Sequence, residues 1–252
     1  MELDVIIAPT LYGEGELRDR LCAVVDVLRA TSTITTALVS GASAVHPCLD
    51  IEEAKGGAAK MGDGQALLGG EERGKFIPGF DLGNSPLEYL SRETVEGKVI
   101  FFYTSNGTGA IRRTYEACGR PVYIAALNNI SAVASAMVSA AADGKAEGMA
   151  VLCSGRYGKP STEDLFCAGM VIDRVAVGLR DNGIITQMVD GASIAAGFAA
   201  ANEGHSFEVL SSSVHGRYLK TIGYSDDLEY TSRLDIYDAV PVFDGQRIIL
   251  SS

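Results

Sequence analysis

Tryptophan is absent from this 252-residue chain, and Phe, Trp and Tyr together make up only 7% of it. Binding of single-stranded nucleic acid relies on stacking bases against aromatic rings, so that function has little support here. Basic residues are scarce too. Twenty-one Lys and Arg stand against 32 Asp and Glu, giving a formal charge of −11. A surface of that sign repels nucleic acid and anionic membranes. No apolar run approaches the ~20 residues that a bilayer span requires. The opening Met1-Glu2-Leu3-Asp4 lacks the basic region of a signal peptide, and the expectation is a soluble, cytoplasmic protein. The three His, at 46, 205 and 215, show no short ligand spacing, which argues against structural zinc. The five Cys, at 22, 48, 118, 153 and 167, are odd in number and unpaired in spacing, as expected of reduced thiols. No Gly-Lys-Ser/Thr run is present to cradle a nucleotide.

What the chain does have is an alternation of short apolar runs with amphipathic stretches. Strands are expected at 5–8, 22–27, 44–47, 66–68, 98–103, 122–125 and 149–153. Helices are expected at 32–40, 51–61, 86–90, 108–118, 130–142, 165–179 and 192–201. The segment 207–223 also reads as helical, 226–238 as acidic and partly helical, and 240–250 as a hairpin turning at Asp244-Gly245. This pattern predicts a layered α/β/α protein with a mostly parallel or mixed sheet. Residues 1–252 are expected to form one α/β unit, or two lobes with a boundary near 125–150. In such sheets the ligand crevice lies outside the carboxyl ends of the strands. The Ala/Ser spacing of 131–142 suggests close packing, either against the sheet or against a second subunit in a homodimer.

The expected strand ends carry the chemistry. Val99-Ile100-Phe101-Phe102-Tyr103 runs into Thr104-Ser105-Asn106-Gly107-Thr108 and then a helical stretch. Small polar residues and Gly at that junction can offer backbone N–H groups to an anion. The arrangement recurs in Asp26-Val27-Leu28-Arg29-Ala30-Thr31-Ser32-Thr33 and in Cys153-Ser154-Gly155-Arg156. Asp26 can bind a hard cation or orient water, or it can simply pair with nearby backbone. Arg29 can hold an oxyanion through two parallel hydrogen bonds. Glu71, Glu72 and Asp81, with Arg73 between them, can surround a divalent cation or form a solvated charged loop. Asn84-Ser85-Pro86 reads as a capped helix start. A phospho-aspartyl mechanism needs a second Asp two residues after Asp26, and Leu28 stands there. A cysteine phosphatase needs Arg six residues after Cys153, and Lys159 stands there, so Cys153 reads as a buried strand-end residue. Thr162-Glu163-Asp164 reads as an acidic cap, with Asp164 also in reach of a metal.

Taken together, Asp26–Thr33, Gly70-Glu71-Glu72-Arg73-Gly74, Gly79-Phe80-Asp81-Leu82-Gly83-Asn84-Ser85-Pro86 and Thr104–Thr108 resemble the 2-phosphosulfolactate phosphatase (ComB) family, in shared order. Cys153-Ser154-Gly155 with Glu163-Asp164 and Cys167-Ala168-Gly169 adds a weaker marker. The resemblance implies a Mg²⁺-dependent phosphatase with an unusual α/β fold. Its reaction would release phosphate from 2-phospho-3-sulfolactate, giving 3-sulfolactate on the route to coenzyme M. The alternatives are a phosphatase for another small phosphorylated hydroxy acid, or a phosphate-ester binder without catalysis. The expected catalytic residues are Asp26, Glu71 and Asp81. Arg29, Ser32, Arg73, Asn84, Ser85, Thr104, Asn106, Gly107, Thr108, Gly155 and Arg156 are expected to bind the small phosphorylated acid. Asp26, Glu71, Glu72, Asp81 and Asp164 are expected around Mg²⁺. Family members often read Thr-Thr-Asn-Gly-Thr-Arg where this chain has Thr104–Gly109, so Gly109 replaces an Arg.

Overall fold

β-Branched and aromatic runs become strands wherever both faces can be covered. The structure, a computed structural model, describes all residues except 14, 143, 145 and 252. Among the described residues the strands are β1 (Glu2–Ile6), β2 (Leu21–Val25), β3 (Ala44–Cys48), β4 (Ala66–Gly70), β5 (Val99–Tyr103), β6 (Val122–Ala125), β7 (Gly148–Cys153), β8 (Gln187–Met188), β9 (Pro241–Phe243) and β10 (Ile248–Leu250). They form one sheet in the order β4-β5-β3-β10-β9-β6-β2-β7-β1-β8. The helices are α1 (Ala30–Val39), α2 (Ile51–Ala58), α3 (Arg92–Val95), α4 (Gly107–Cys118), α5 (Ile130–Ala141), α6 (Thr162–Asp181), α7 (Asp190–Ala201), α8 (Ser206–Ser212), α9 (Val214–Thr221) and α10 (Ser225–Thr231).

The sheet is mixed in a particular way. β4, β5 and β3 run parallel, as do β6, β2, β7, β1 and β8. The β9–β10 hairpin joins the two blocks through three antiparallel pairings, so the blocks run in opposite directions. Five steps separate β5 from β2, and a twist of 20–25° per step accumulates to roughly 100–125°. That rotation lets the carboxyl ends of β2 and β5 converge although their blocks oppose each other.

Every residue of β2 is buried, and the strand's two-residue period divides them between two cores. Leu21, Ala23 and Val25 pack with Ile130, Val133 and Met137 of α5 and Phe166, Val171 and Val175 of α6. Cys22 and Val24 pack with Ile34 and Leu38 of α1 and Ile111 of α4. The result is helix, sheet, helix. Each buried Val or Leu contributes about 1.5–3 kcal/mol, which fixes register: Val24 stands opposite Leu152 on one side and Ile124 on the other. A smaller third core sets Ala54 of α2 against Phe101, Ile77 and Phe80.

Several boundaries differ from the sequence expectation. The first strand begins at Glu2 and ends at Ile6. α1 starts at Ala30 and α6 at Thr162, both earlier than expected. The expected helix over 207–223 is two helices, broken where Ser213 takes extended backbone and accepts a hydrogen bond from the Gly216 N–H at 2.9 Å. The terminal hairpin forms, with Asp244 accepting from Gln246 and Arg247 at 2.8 and 2.9 Å, and it lies in the middle of the sheet. α5 packs along α6, where a Cβ on Gly178 would meet Val138 at 2.9 Å.

Candidate active site

The exit of β2 is a tight turn built by its own polar residues. Thr31 donates from its amide and its hydroxyl to the Asp26 carbonyl, each at 3.0 Å. Ser32 Oγ donates to the Val27 carbonyl at 2.9 Å. These bonds set the Asp26 carboxylate under the first turn of α1, where the Ala30 N–H donates to Oδ1 at 3.3 Å. The Arg29 side chain turns inward to the Asp227 carboxylate of α10 at 2.5 Å.

The exit of β5 meets this turn from the other block. Thr104 and Thr108 cap each other: each hydroxyl accepts from the other's backbone N–H at 3.2 Å. Gly107 then passes so close that a Cβ there would stand 2.6 Å from Asp26 Oδ2 and 2.5 Å from the Ala30 methyl. Only glycine permits that approach. Asn106 stands at the N-terminal cap position of α4 without capping it, and its Oδ1 accepts from the Tyr157 N–H at 3.0 Å.

The exit of β4 adds Glu71. Its Oε1 accepts from the Ser105 N–H at 2.8 Å, and its Oε2 accepts from Gly74 N–H. A carboxylate so supplied with backbone donors ties the 71–74 loop to the 104–108 loop. The exit of β7 adds Ser154, Gly155 and Arg156. Asp164, in the first turn of α6, accepts from Val27 N–H (2.9 Å), Gly155 N–H (3.0 Å) and Ser161 Oγ (2.7 Å).

These exits enclose a narrow cavity lined by Asp26, Leu28, Arg29, Glu71, Gly74, Asn84, Asn106 and His215. His215 also borders a cleft of about 430 Å³ with Arg156, Lys159 and Glu163. A second cleft, of about 480 Å³, lies on the other side of Arg156 and Tyr157 and is bordered by Arg73 and Tyr218. Burial and the neighbouring Asp164 push Asp26 up to about 7. Burial and Glu163 push Asp164 up to about 7, and burial raises Glu163 as well. Burial, with Arg156 and Arg29 nearby, holds His215 down at about 3, so its imidazole is neutral at pH 7.

A family model described as 2-phosphosulpholactate phosphatase matches residues 6–246. A relative from Symbiobacterium thermophilum, named "Probable 2-phosphosulfolactate phosphatase", is 40% identical over 241 residues, covering 93% of this chain and 96% of its own. Relatives of the same name from Gloeobacter violaceus and Clostridium botulinum (strain Eklund 17B) are 40% and 32% identical; the matches cover 96% and 99% of this chain and 94% and 99% of theirs. The chain belongs to the 2-phosphosulpholactate phosphatase family.

Within this family member, the structure gathers Asp26, Arg29, Glu71, Asn84, Asn106 and Gly107 at one place. Other expected site residues serve the backbone. The hydroxyls of Ser32, Thr104 and Thr108 are committed to turns. Ser85 does not cap the following turn; its hydroxyl donates to Asp227 at 2.5 Å. Gly155 supplies an N–H to Asp164 and adopts a left-handed φ of 61°. Asp81 is exposed and accepts from the Leu68 N–H at 2.8 Å, away from the cavity. Glu72 and Arg73 are exposed and line the outer cleft. Asp164 sits beside Asp26 with its oxygens taken up by the donors already named. Cys153 is buried and its thiol is pushed well up by burial, which leaves no thiolate nucleophile.

The sequence pattern singles out neither Asp227, which pairs with Arg29, nor His215, which lines the cavity. His215 Nδ1 lies 3.9 Å from Glu163 Oε1. Glu163 stands one residue before Asp164 in the acidic first turn of α6. Among the described residues no three His, Cys, Asp or Glu side chains are arranged to hold a metal ion, and no helix is long and apolar enough to cross a membrane.

Proposed function

We propose that this chain hydrolyses 2-phospho-3-sulfolactate to 3-sulfolactate and phosphate, with Mg²⁺ as its cation, as a step toward coenzyme M. The observation that carries the reading is the convergence of Asp26, Arg29, Asn84, Asn106 and His215 on one cavity at the strand exits. Family membership supports it. The substrate carries phosphate and further acid groups, and the chain carries a charge of −11. Local positive potential must therefore overcome long-range repulsion.

Mg²⁺ suits the donor chemistry here. It takes oxygen ligands and commonly uses one or two carboxylates, completing its shell with water and substrate phosphate. Asp26 is the cavity carboxylate whose oxygens are least committed to backbone, and it would hold the ion. The ion would offset the charge that develops on the phosphoryl oxygens. Asn106 and Arg29 orient the phosphate from the α4 and α1 sides. Neutral His215 accepts or donates one hydrogen bond at the cavity wall. Water adds to phosphorus as the ester P–O bond breaks. The water's proton passes to a cavity carboxylate, which hands a proton on to the leaving oxygen, and that oxygen becomes the hydroxyl of 3-sulfolactate.

One observation favours a retuned substrate. Gly109 stands where the family resemblance expects Arg, and Arg113 Nη1 lies 2.9 Å from where a Cβ on Gly109 would be. A guanidinium one turn along α4 alters where an acid group of the substrate is read. The test is phosphate release from synthetic 2-phospho-3-sulfolactate and a panel of compact phosphorylated hydroxy acids, with Mg²⁺ and with chelator. Mg²⁺-dependent release from phosphosulfolactate supports the reading, and a stronger preference for another member of the panel supports retuning. Tight binding without product from any of them overturns the phosphatase reading in favour of a binding protein.

A further inference from the structure

Two amide side chains, Asn84 and Asn106, line the cavity at the strand exits together with Asp26, Arg29 and His215. Their oxygens differ. Asn106 Oδ1 accepts from the Tyr157 N–H at 3.0 Å, so its –NH₂ is the group that can meet an anion. Asn84 is 4% exposed, and its buried Oδ1 accepts from none of the described residues. A buried acceptor without a donor costs about 1–3 kcal/mol. The backbone on either side is nonetheless held in place. Thr33 Oγ1 donates to the Asn84 carbonyl at 2.9 Å, the Tyr89 hydroxyl to the Gly83 carbonyl at 2.7 Å, and Ser85 Oγ to Asp227 at 2.5 Å. An oxygen so fixed, and given no donor by the protein, calls for a donor from outside it.

The substrate is not that donor. Fully ionised 2-phospho-3-sulfolactate carries phosphate, sulfonate and carboxylate, with no O–H or N–H group. Arg29 is committed to Asp227 and the Gly74 carbonyl. Water remains, and the dimensions suit it. The cavity has about 10 Å³ of room, the space of about one water. The cleft that shares His215 with it has about 430 Å³, enough for the organic acid.

We propose that Asn84 is a catalytic residue that orients the attacking water, rather than a contact to the substrate. The inference rests on the hydrolase reading above and deepens it. One O–H of the water points to Asn84 Oδ1 and the other to a cavity carboxylate, which leaves a lone pair toward His215 and the cleft. The new P–O bond forms from the cavity side as the ester P–O bond breaks toward the cleft. The water's proton goes to the carboxylate, and the neutral amide takes none.

Asn84→Ala and Asn84→Val both remove the acceptor, one leaving a void and the other filling it. Each should lower kcat for 2-phospho-3-sulfolactate by about 100-fold, the scale of a reacting group misplaced by about 1 Å. The probe of binding is the phosphonate in which CH₂ replaces the ester oxygen. Its inhibition constant, and the Mg²⁺ concentration giving half-maximal rate, should stay within about 2-fold of wild type. Both variants should melt close to the wild type, because the oxygen removed has no partner among the described residues. Unchanged kcat in either folded variant overturns the assignment and leaves the hydrolase reading standing. A phosphonate constant that rises as kcat falls makes Asn84 a substrate contact, and a raised Mg²⁺ requirement makes it a cation ligand; either result overturns the assignment. A wild type that binds the phosphonate but releases phosphate from no member of the substrate panel overturns the hydrolase reading itself, and the role of Asn84 with it.

Discussion

Arg29 and Asp227 form an ion pair at 2.5 Å in which both side chains are 2% exposed. The second Asp227 oxygen accepts from Ser85 Oγ at 2.5 Å, and the Tyr224 ring lies 4.0 Å from the guanidinium. One carboxylate of α10 thus fixes the β2 exit and the 84–85 loop together. Removing one partner of a buried pair leaves the other charge uncompensated and costs about 3–5 kcal/mol. Asp227→Asn should lose stability on that scale in urea denaturation, with phosphate release falling in parallel. The double variant Arg29→Met/Asp227→Leu should regain much of the stability but not the phosphate release. A stable Asp227→Asn protein would show that the pair is immaterial to the fold.

Stability should depend on pH with a definite sign. Asp26 and Asp164 ordinarily titrate near 3.8 and are raised to about 7 in the fold. Between these values the folded state binds more protons than the unfolded state, so stability declines as pH rises through about 7. His215 acts oppositely: lowered from 6.5 to about 3, it contributes stability that is complete above 6.5 and lost as pH falls toward 3. In chelator, the urea midpoint should therefore fall between pH 5 and 6.5, where two carboxylates outweigh one imidazole and Cys118, whose thiol is lowered from 9.0 to about 7, still keeps its proton. His215→Gln should steepen that fall. A midpoint that rises from pH 5 to 6.5 would contradict the burial of these acids.

Gly107→Ala tests the convergence of the two sheet blocks. The added methyl would meet Asp26 Oδ2 and the Ala30 methyl at 2.6 and 2.5 Å, and both neighbours belong to the first turn of α1 or its approach. Overpacking of this kind typically costs about 1–3 kcal/mol. Displacement of a reacting group by about 1 Å can cost 100-fold in rate. Phosphate release should drop far more than the melting temperature does. Equal activity in the variant would mean that Asp26 has no fixed role in the reaction.

The layered α/β fold was legible because apolar runs and helical stretches alternate along the chain. The place of the hairpin was not, since nothing in Val240–Leu250 itself tells it to enter the middle of a sheet. The strand-exit motifs hold Asp26, Arg29 and Asn106, which line one cavity. The hydroxyls of Ser32, Thr104 and Thr108 bond to backbone groups, because a hydroxyl at a helix start binds its own backbone as readily as an anion. Asp81 is occupied in a similar way: a carboxylate in a Gly-rich loop can accept from nearby backbone, as it does from the Leu68 N–H. Asp227 lies 198 residues from Arg29, and no local pattern links them.

Arg156 is the cation best placed to set specificity. Its guanidinium lies 4.9 Å from the Tyr157 ring and 5.2 Å from the Tyr218 ring, and it borders both outer clefts. No ion pair among the described residues involves it, whereas Arg29 is neutralised by Asp227. Tyr218 is itself held across the entrance by its hydroxyl, which donates to the Arg73 carbonyl at 2.9 Å. A guanidinium held between two rings keeps its N–H edge for a planar or tetrahedral oxyanion. A hydrogen bond to a charged group contributes about 1.5–3 kcal/mol, or roughly 10–100-fold in affinity. Arg156→Met should therefore raise KM for a phosphorylated acid with a second anionic group by that factor, with kcat little changed. For a phosphomonoester lacking the second anion, KM should stay within about 2-fold, because no partner for Arg156 is lost. An equal rise for both substrates would place Arg156 on the phosphate instead, and the second anion would then be read by Arg113 or Lys159.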